Sequence, residues 1–271
     1  MIRDITIGQY MPGDSFLHKM DARAKIVLTF AYILAIFFCK NFWALGLMVL
    51  LSAVLVPVSR VPVRQVLRSL RPLIVILLFT AVLNLFYTKS GNTLWSWKFL
   101  TLTDKGLFTA IFMAVRILAL VAVSSLLTFT TTPTDLTDGI ERLLSPLKIV
   151  KVPVHSLAMM MTLALRFIPT LIEEIDRIMS AQKARGADLE SGGFIRRAKA
   201  LLPILIPLFV SAFRRAYDLA YAMECRCYRG GEGRTRLRQM RFGVRDGVAL
   251  VLFVCVLAGV AVLNYFFKAL I

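Results

Sequence analysis

Gly106-Leu-Phe-Thr-Ala-Ile-Phe-Met-Ala-Val-Arg116-Ile-Leu-Ala-Leu-Val-Ala-Val-Ser-Ser-Leu-Leu-Thr-Phe129 is an apolar run with one charge in it. A bilayer core of about 30 Å needs about 20 apolar residues as helix, so this run spans. Its surroundings are of the same kind. Of the 271 residues, 58% are hydrophobic and the mean hydropathy is +0.73, against roughly 45–50% apolar residues in soluble domains. The chain reads as an all-α integral membrane protein.

Four further runs flank the first. Ile26–Cys39 and Phe42–Val56 are short and are separated by Lys40-Asn41. A basic linker (Arg60, Pro62, Arg64, Arg68, Arg71) leads to Pro72–Tyr87, and Val248–Phe267 closes the chain. Between Tyr87 and Gly106 the sequence predicts a polar loop carrying Trp95 and Trp97. Met1 to Lys25 has no apolar core of the signal-peptide kind.

Five spans put the termini on opposite sides, and the net charge of +17 fixes the sense. With the N-terminus in the cytoplasm, 27 Lys and Arg lie inside and 5 outside, which is the bias that positive-inside topology requires. The basic charge therefore belongs to a membrane topology, and nucleic acid is not an expected partner. The expected location is the plasma membrane, multi-pass, with the C-terminus outside. Trp43, Trp95 and Trp97 fall at the outer boundary, where amphipathic rings are comfortable.

Two more apolar runs, Ser156–Ile172 and Leu201–Phe213, are read as not crossing. Arg166 interrupts the first, Arg214-Arg215 ends the second, and crossing would carry Arg185, Arg196, Arg197 and Lys199 outside. The chain thus divides into 1–130 with four transmembrane helices, a cytoplasmic coupling module over 131–245, and a last span within 246–271. In the module, Thr132-Pro133-Thr134-Asp135 starts a short helix through Leu144. Two long helices follow, His155 to Arg185 and Phe194 to about Glu224, joined by a Ser191-Gly192-Gly193 turn. Glu173–Arg177 and Arg214–Asp218 are spaced to pair one turn apart, and Pro203 with Pro207 share a face of the second helix.

The two long helices end alike: Ser180-Ala-Gln-Lys-Ala184-Arg185-Gly186, then Ala222-Met-Glu-Cys225-Arg226-Cys227-Tyr228-Arg-Gly230. A cation at a helix C-terminus offsets the macrodipole, and glycine supplies a left-handed cap. Recurrence at the ends of two adjacent long helices favours a second role. An arginine held out at a helix tip forms forked pairs with a carboxylate, which lysine cannot match. Ala184, Arg185, Gly186, Cys225, Arg226 and Cys227 are therefore the candidate plugs into partner proteins.

Leu157, Met159, Met160 and Met161 form an adaptable apolar surface suited to a partner, or equally to core and lipid contact. Arg116, inside a span, is either functional or paired structurally. No other span holds an acidic residue, so a proton- or sodium-driven secondary carrier lacks its usual groups. The sequence has no P-loop, no H-E-x-x-H and no G-x-S-x-G. A lipid-modifying membrane enzyme would have to rest on Asp14, His18 and Asp21, which also suit caps and anchors. The four cysteines read as free thiols, and Cys225-x-Cys227 alone is a poor metal site. No cofactor, metal or catalytic residue is expected.

Tyr10-x-Pro12-Gly13-Asp14-Ser15-x-x-His18-Lys19-x-Asp21-x-Arg23-x-Lys25, Ala184-Arg185-Gly186 and Cys225-Arg226-Cys227-Tyr228-x-Gly230-Gly231 together resemble the transmembrane T component of energy-coupling factor (ECF) transporters, the EcfT/CbiQ family. Cys225 departs from the alanine of many relatives and leaves the arginine in place. The resemblance implies a non-catalytic scaffold that joins two cytoplasmic P-loop ATPases to a membrane-embedded substrate-capture (S) subunit for a vitamin or a transition-metal ion. It implies that Arg185 and Arg226 each enter a groove of one ATPase, and that the helices bearing them touch the capture subunit.

Overall fold

A computed structural model of the chain describes residues 9–87, 93–97, 100–187, 193–230, 240 and 242–267. The Ser191-Gly192 turn, Gly231 and the basic tail of Arg234, Arg236, Arg238 and Arg241 lie outside them. Two compact units result, one comprising Gly8–Ile140 with Gln239–Ile271, the other built around Glu141–Arg238.

In the first unit the apolar runs form helices α1 (Ala22–Phe38), α2 (Phe42–Ser59), α4 (Ile74–Tyr87), α5 (Asp104–Thr130) and α9 (Val244–Phe266), and α3 (Val63–Leu70) lies between α2 and α4. Helix α5 packs on α1, α2, α3 and α4, while α9 packs on α1 and α2. Tyr32, Ile36, Leu45, Met48 and Phe112 fill the centre. The Tyr32 hydroxyl donates to the Met48 carbonyl at 3.1 Å, which satisfies its buried polar end. Outward-facing side chains are apolar too: Phe30 is 62% exposed, Val75 74% and Leu78 66%. In water such surfaces mark a partner or a membrane; here hydrocarbon is the solvent.

Two features of this unit depart from expectation. The basic linker is helical: α3 buries Val66 and turns Arg64 and Arg68 outward, and a 3-10 turn at Arg71–Leu73 joins it to α4. The expected polar loop is an antiparallel hairpin of β1 (Thr93–Trp97) and β2 (Leu100–Thr103), with Trp95 opposite Leu102 and Trp97 opposite Leu100.

The N-terminal motif closes one end of the bundle. Asp21 caps α1 by accepting from the Arg23 amide at 2.9 Å, and its carboxylate pairs with the Arg23 guanidinium at 2.6 Å. Buried Asp246 accepts from the amides of Asp21 (2.9 Å) and Gly243 (2.8 Å), joining the first turns of α1 and α9. Lys25 Nζ donates to the Thr130 carbonyl and to Thr131 Oγ1, at the last turn of α5. At the opposite end Asn41 donates to the carbonyls of Leu263 and Phe267, and Asn264 returns a bond to Phe38.

Helix α6 (Pro133–Leu143) starts as expected, with Thr132 Oγ1 accepting from the Asp135 amide at 3.1 Å. The second unit is dominated by α7 (Val154–Ala184) and α8 (Phe194–Cys225). By length and composition six helical stretches among the described residues could cross a membrane: Phe42–Ser59, Val63–Leu85, Asp104–Thr130, Val154–Ala184, Lys199–Cys225 and Val244–Phe266. Thus α7 and α8 are long enough, and the short apolar run of Leu201–Phe213 understated α8. The 17-residue α1 reaches only about 26 Å at 1.5 Å per residue. This is a multi-pass membrane protein.

Candidate functional site

Helices α7 and α8 pack on each other as an antiparallel pair. Three contacts fix the register: Tyr228 with Met159, Arg215 with Glu174, and Gln182 with Pro203. As the number rises on α7 it falls on α8. The expected Glu173–Arg177 pair forms at 3.5 Å. The expected Arg214–Asp218 pair does not form among the described residues. Its neighbour Arg215 points at α7 and meets Glu174 instead, because a charge facing the partner helix finds an acid there.

Both helices end in the same cap. On α7 the amides of Gly186 and Ala187 donate to the carbonyls of Lys183 and Gln182, each at 3.0 Å. On α8 the amides of Cys227 and Tyr228 donate to Glu224 (2.8 Å) and Met223 (3.0 Å). These are two Schellman caps, in which the residue after the helix turns left-handed so that the last carbonyls are satisfied. Arg185 and Arg226 hold the identical cap position, and both are exposed. The left-handed residue is Gly186 (φ +84°) in one and Cys227 (φ +54°) in the other. The second helix is therefore stopped by a cysteine, and Gly230 (φ +86°) shapes the turn that follows.

The antiparallel register places the two arginines at opposite ends of the pair. Arg226 is two residues from Tyr228, which touches Met159. From Met159 to Arg185 the helix runs roughly 39 Å at about 1.5 Å per residue. One small pocket cannot take both guanidinium groups. Ala184 and Cys225, the residues before the arginines, close the two helices and are exposed, as are Cys227 and Gly186.

Of the apolar candidates on α7, Leu157 (46%), Met160 (57%) and Met161 (53%) face outward, whereas Met159 turns to α8. Sequence reading overlooked a second apolar stripe, on α8: Ile206, Phe209, Val210, Phe213, Tyr217 and Tyr221, all exposed. Its spacing of three and four residues is the signal that could have found it. At the root of α7, His155 Nδ1 meets Glu141 Oε1 at 3.0 Å.

The remaining candidates have structural roles. Both ring nitrogens of His18 are engaged, Nδ1 with Ser15 Oγ at 2.6 Å and Nε2 with the Met11 carbonyl at 2.9 Å. Asp14 pairs with Lys19, and Asp21 is a helix cap. Arg116 is buried, with its guanidinium over the Phe112 ring and Nη2 donating to the Cys39 carbonyl at 2.8 Å. It occupies the C-terminal end of α1, where carbonyls lack helical donors. Cys39 is buried and Cys225, Cys227 and Cys255 are exposed thiols. Among the described residues no three metal-ligating side chains meet.

The model of the family described as cobalt transport protein, CbiQ, matches residues 13–237. A protein of Ruminiclostridium cellulolyticum called energy-coupling factor transporter transmembrane protein EcfT is 53% identical over 267 residues, 98% of this chain and 100% of the relative. The chain belongs to the CbiQ/EcfT family. Proteins of the same name from Clostridium kluyveri and Brevibacillus brevis share 53% identity over 250 residues and 49% over 254. These matches cover 92% of this chain and 93% of the first relative, and 94% and 96% for the second. The family-model match takes in both arginine caps, the paired helices and all but the last span, and the match to the Ruminiclostridium relative extends over nearly the whole chain.

Proposed function

We propose that this chain is the transmembrane coupling subunit of an ECF-type importer. It joins two cytoplasmic P-loop ATPases to a membrane-embedded capture subunit for a vitamin or other micronutrient. The observation that carries the reading is a pair of exposed arginines in identical caps at the two ends of one helical pair. Each end takes one ATPase, with the guanidinium forking onto a carboxylate in the partner's groove. The distance between the ends requires two separate receiving sites.

The exposed stripes on α7 (Leu157, Met160, Met161) and α8 (Ile206 to Tyr221) contact the capture subunit. Methionine on such a face accommodates more than one partner shape. The charge bias keeps the caps in the cytoplasm, with the N-terminus inside and the C-terminus outside. ATP-driven approach of the two ATPases shifts both ends, and the pair tilts or releases the capture subunit. Substrate crosses without passing through this chain, in keeping with a sequence that has no P-loop.

Affinity purification from membranes tests this. The wild-type chain brings down two ATPase subunits and a small membrane protein. Arg185→Ala with Arg226→Ala loses the ATPases and abolishes uptake, while the small partner stays. Retention of both ATPases by the double variant would refute the proposal.

A further inference from the structure

At each end of the α7–α8 pair a single residue performs two tasks. The Gln182 carbonyl accepts from Ala187 and so closes the α7 cap, while its side-chain Nε2 donates to the Pro203 carbonyl of α8 at 3.4 Å. That carbonyl is available for a reason. The residue four positions on is Pro207, which has no N–H to donate back along the helix. The Tyr228 amide donates to Met223 and so closes the α8 cap, while its hydroxyl donates to Met159 Sδ of α7 at 2.8 Å. Midway, Arg215 and Glu174 form an ion pair.

From this arrangement we infer that the two helices work as one lever, with Gln182 and Tyr228 the positioning residues that lash each arginine cap to the opposite helix. Neither cap then moves without the other helix. A displacement imposed at Arg185 enters α8 through Pro203, and one imposed at Arg226 enters α7 through Met159, the residue beside the outward-facing Met160 and Met161. The inference rests on the proposed role of the arginines and adds to it. The two ATPase contacts are not independent plugs but the two handles of one rod.

The test separates attachment from transmission. In proteoliposomes holding the complete transporter, substrate moved per ATP hydrolysed is measured for Tyr228→Phe, Met159→Leu, their combination, Gln182→Leu, and Gln182→Leu with Tyr228→Phe. Each variant keeps its backbone cap. The ATPases stay bound in every case. Tyr228→Phe and Met159→Leu each lower the transport-to-hydrolysis ratio roughly twofold, because a thioether sulfur is a weak acceptor and its bond lies at the low end of net hydrogen-bond strengths. The combination is no worse than either alone, because both remove the same contact. Gln182→Leu lowers the ratio independently, and its loss multiplies with that of Tyr228→Phe.

Wild-type ratios in all variants would overturn the inference. So would multiplying losses for Met159→Leu and Tyr228→Phe, or release of an ATPase by Tyr228→Phe. If Arg185→Ala and Arg226→Ala controls keep both ATPases, the reading of the arginines fails instead, whatever the ratio does.

Discussion

Replacing Gly186 by alanine perturbs one cap and nothing else. A Cβ built on Gly186 meets no atom within 4 Å, so no side chain has to move. The whole effect comes from the backbone angle, φ +84°. Holding an L-residue left-handed costs about 1–2 kcal/mol, and a stiffer unfolded chain returns about 0.4–1 kcal/mol. The net loss is roughly 1 kcal/mol, about fivefold in the opening equilibrium of the cap at 1.4 kcal/mol per factor of ten. It falls on the amides of Gly186 and Ala187, which donate to Lys183 and Gln182. Hydrogen exchange at those two amides should quicken about fivefold while mid-helix amides of α7 keep their rates. Cys227→Gly makes the opposite change at the second cap, and exchange at the Tyr228 amide should slow or hold. Unchanged exchange in Gly186→Ala, or faster exchange in Cys227→Gly, would refute the claim that the two ends are one motif with different occupants.

Two further outcomes are expected. Arg116→Met leaves the buried Cys39 carbonyl without its donor, and melting of the detergent-solubilised chain should show a loss of about 1.5–3 kcal/mol; unchanged melting with abolished uptake would make Arg116 a functional charge. Asp246→Ala removes the acceptor of two backbone amides; the buried one of Asp21 is left unsatisfied at a cost of about 1–3 kcal/mol, while that of exposed Gly243 turns to water. Limited proteolysis should then cut the segment before α1 first, and an intact segment would contradict the clasp.

Much of the fold is written in local composition. Apolar runs set the helices of the first unit other than α3, and Thr132-Pro133 and Gly186 mark a start and a stop because capping chemistry is local. The illegible parts depend on geometry that no short window holds. The sequence places the end of α8 within a residue, at about Glu224, but Cys227 carries the left-handed turn where glycine is the usual sign, so only Gly230 is visible as a cap. Residues 93–103 were read as a loop because the cross-strand partners of a hairpin are visible only once paired. Asp246 with Asp21, and Asn41 with Phe267, join residues more than two hundred apart. The ties of Gln182 and Tyr228 needed the register of α7 on α8, which the sequence of neither helix contains.

The central claim is that Arg185 and Arg226 reach two different neighbours. A photo-crosslinking amino acid placed at 185 in one chain and at 226 in another, within the assembled transporter in native membranes, measures this directly. Each position should capture an ATPase subunit, and with both positions labelled a single chain should carry two ATPases at once. Capture of the capture subunit alone, of one shared ATPase from both positions, or of nothing but this chain's own helices would contradict the account.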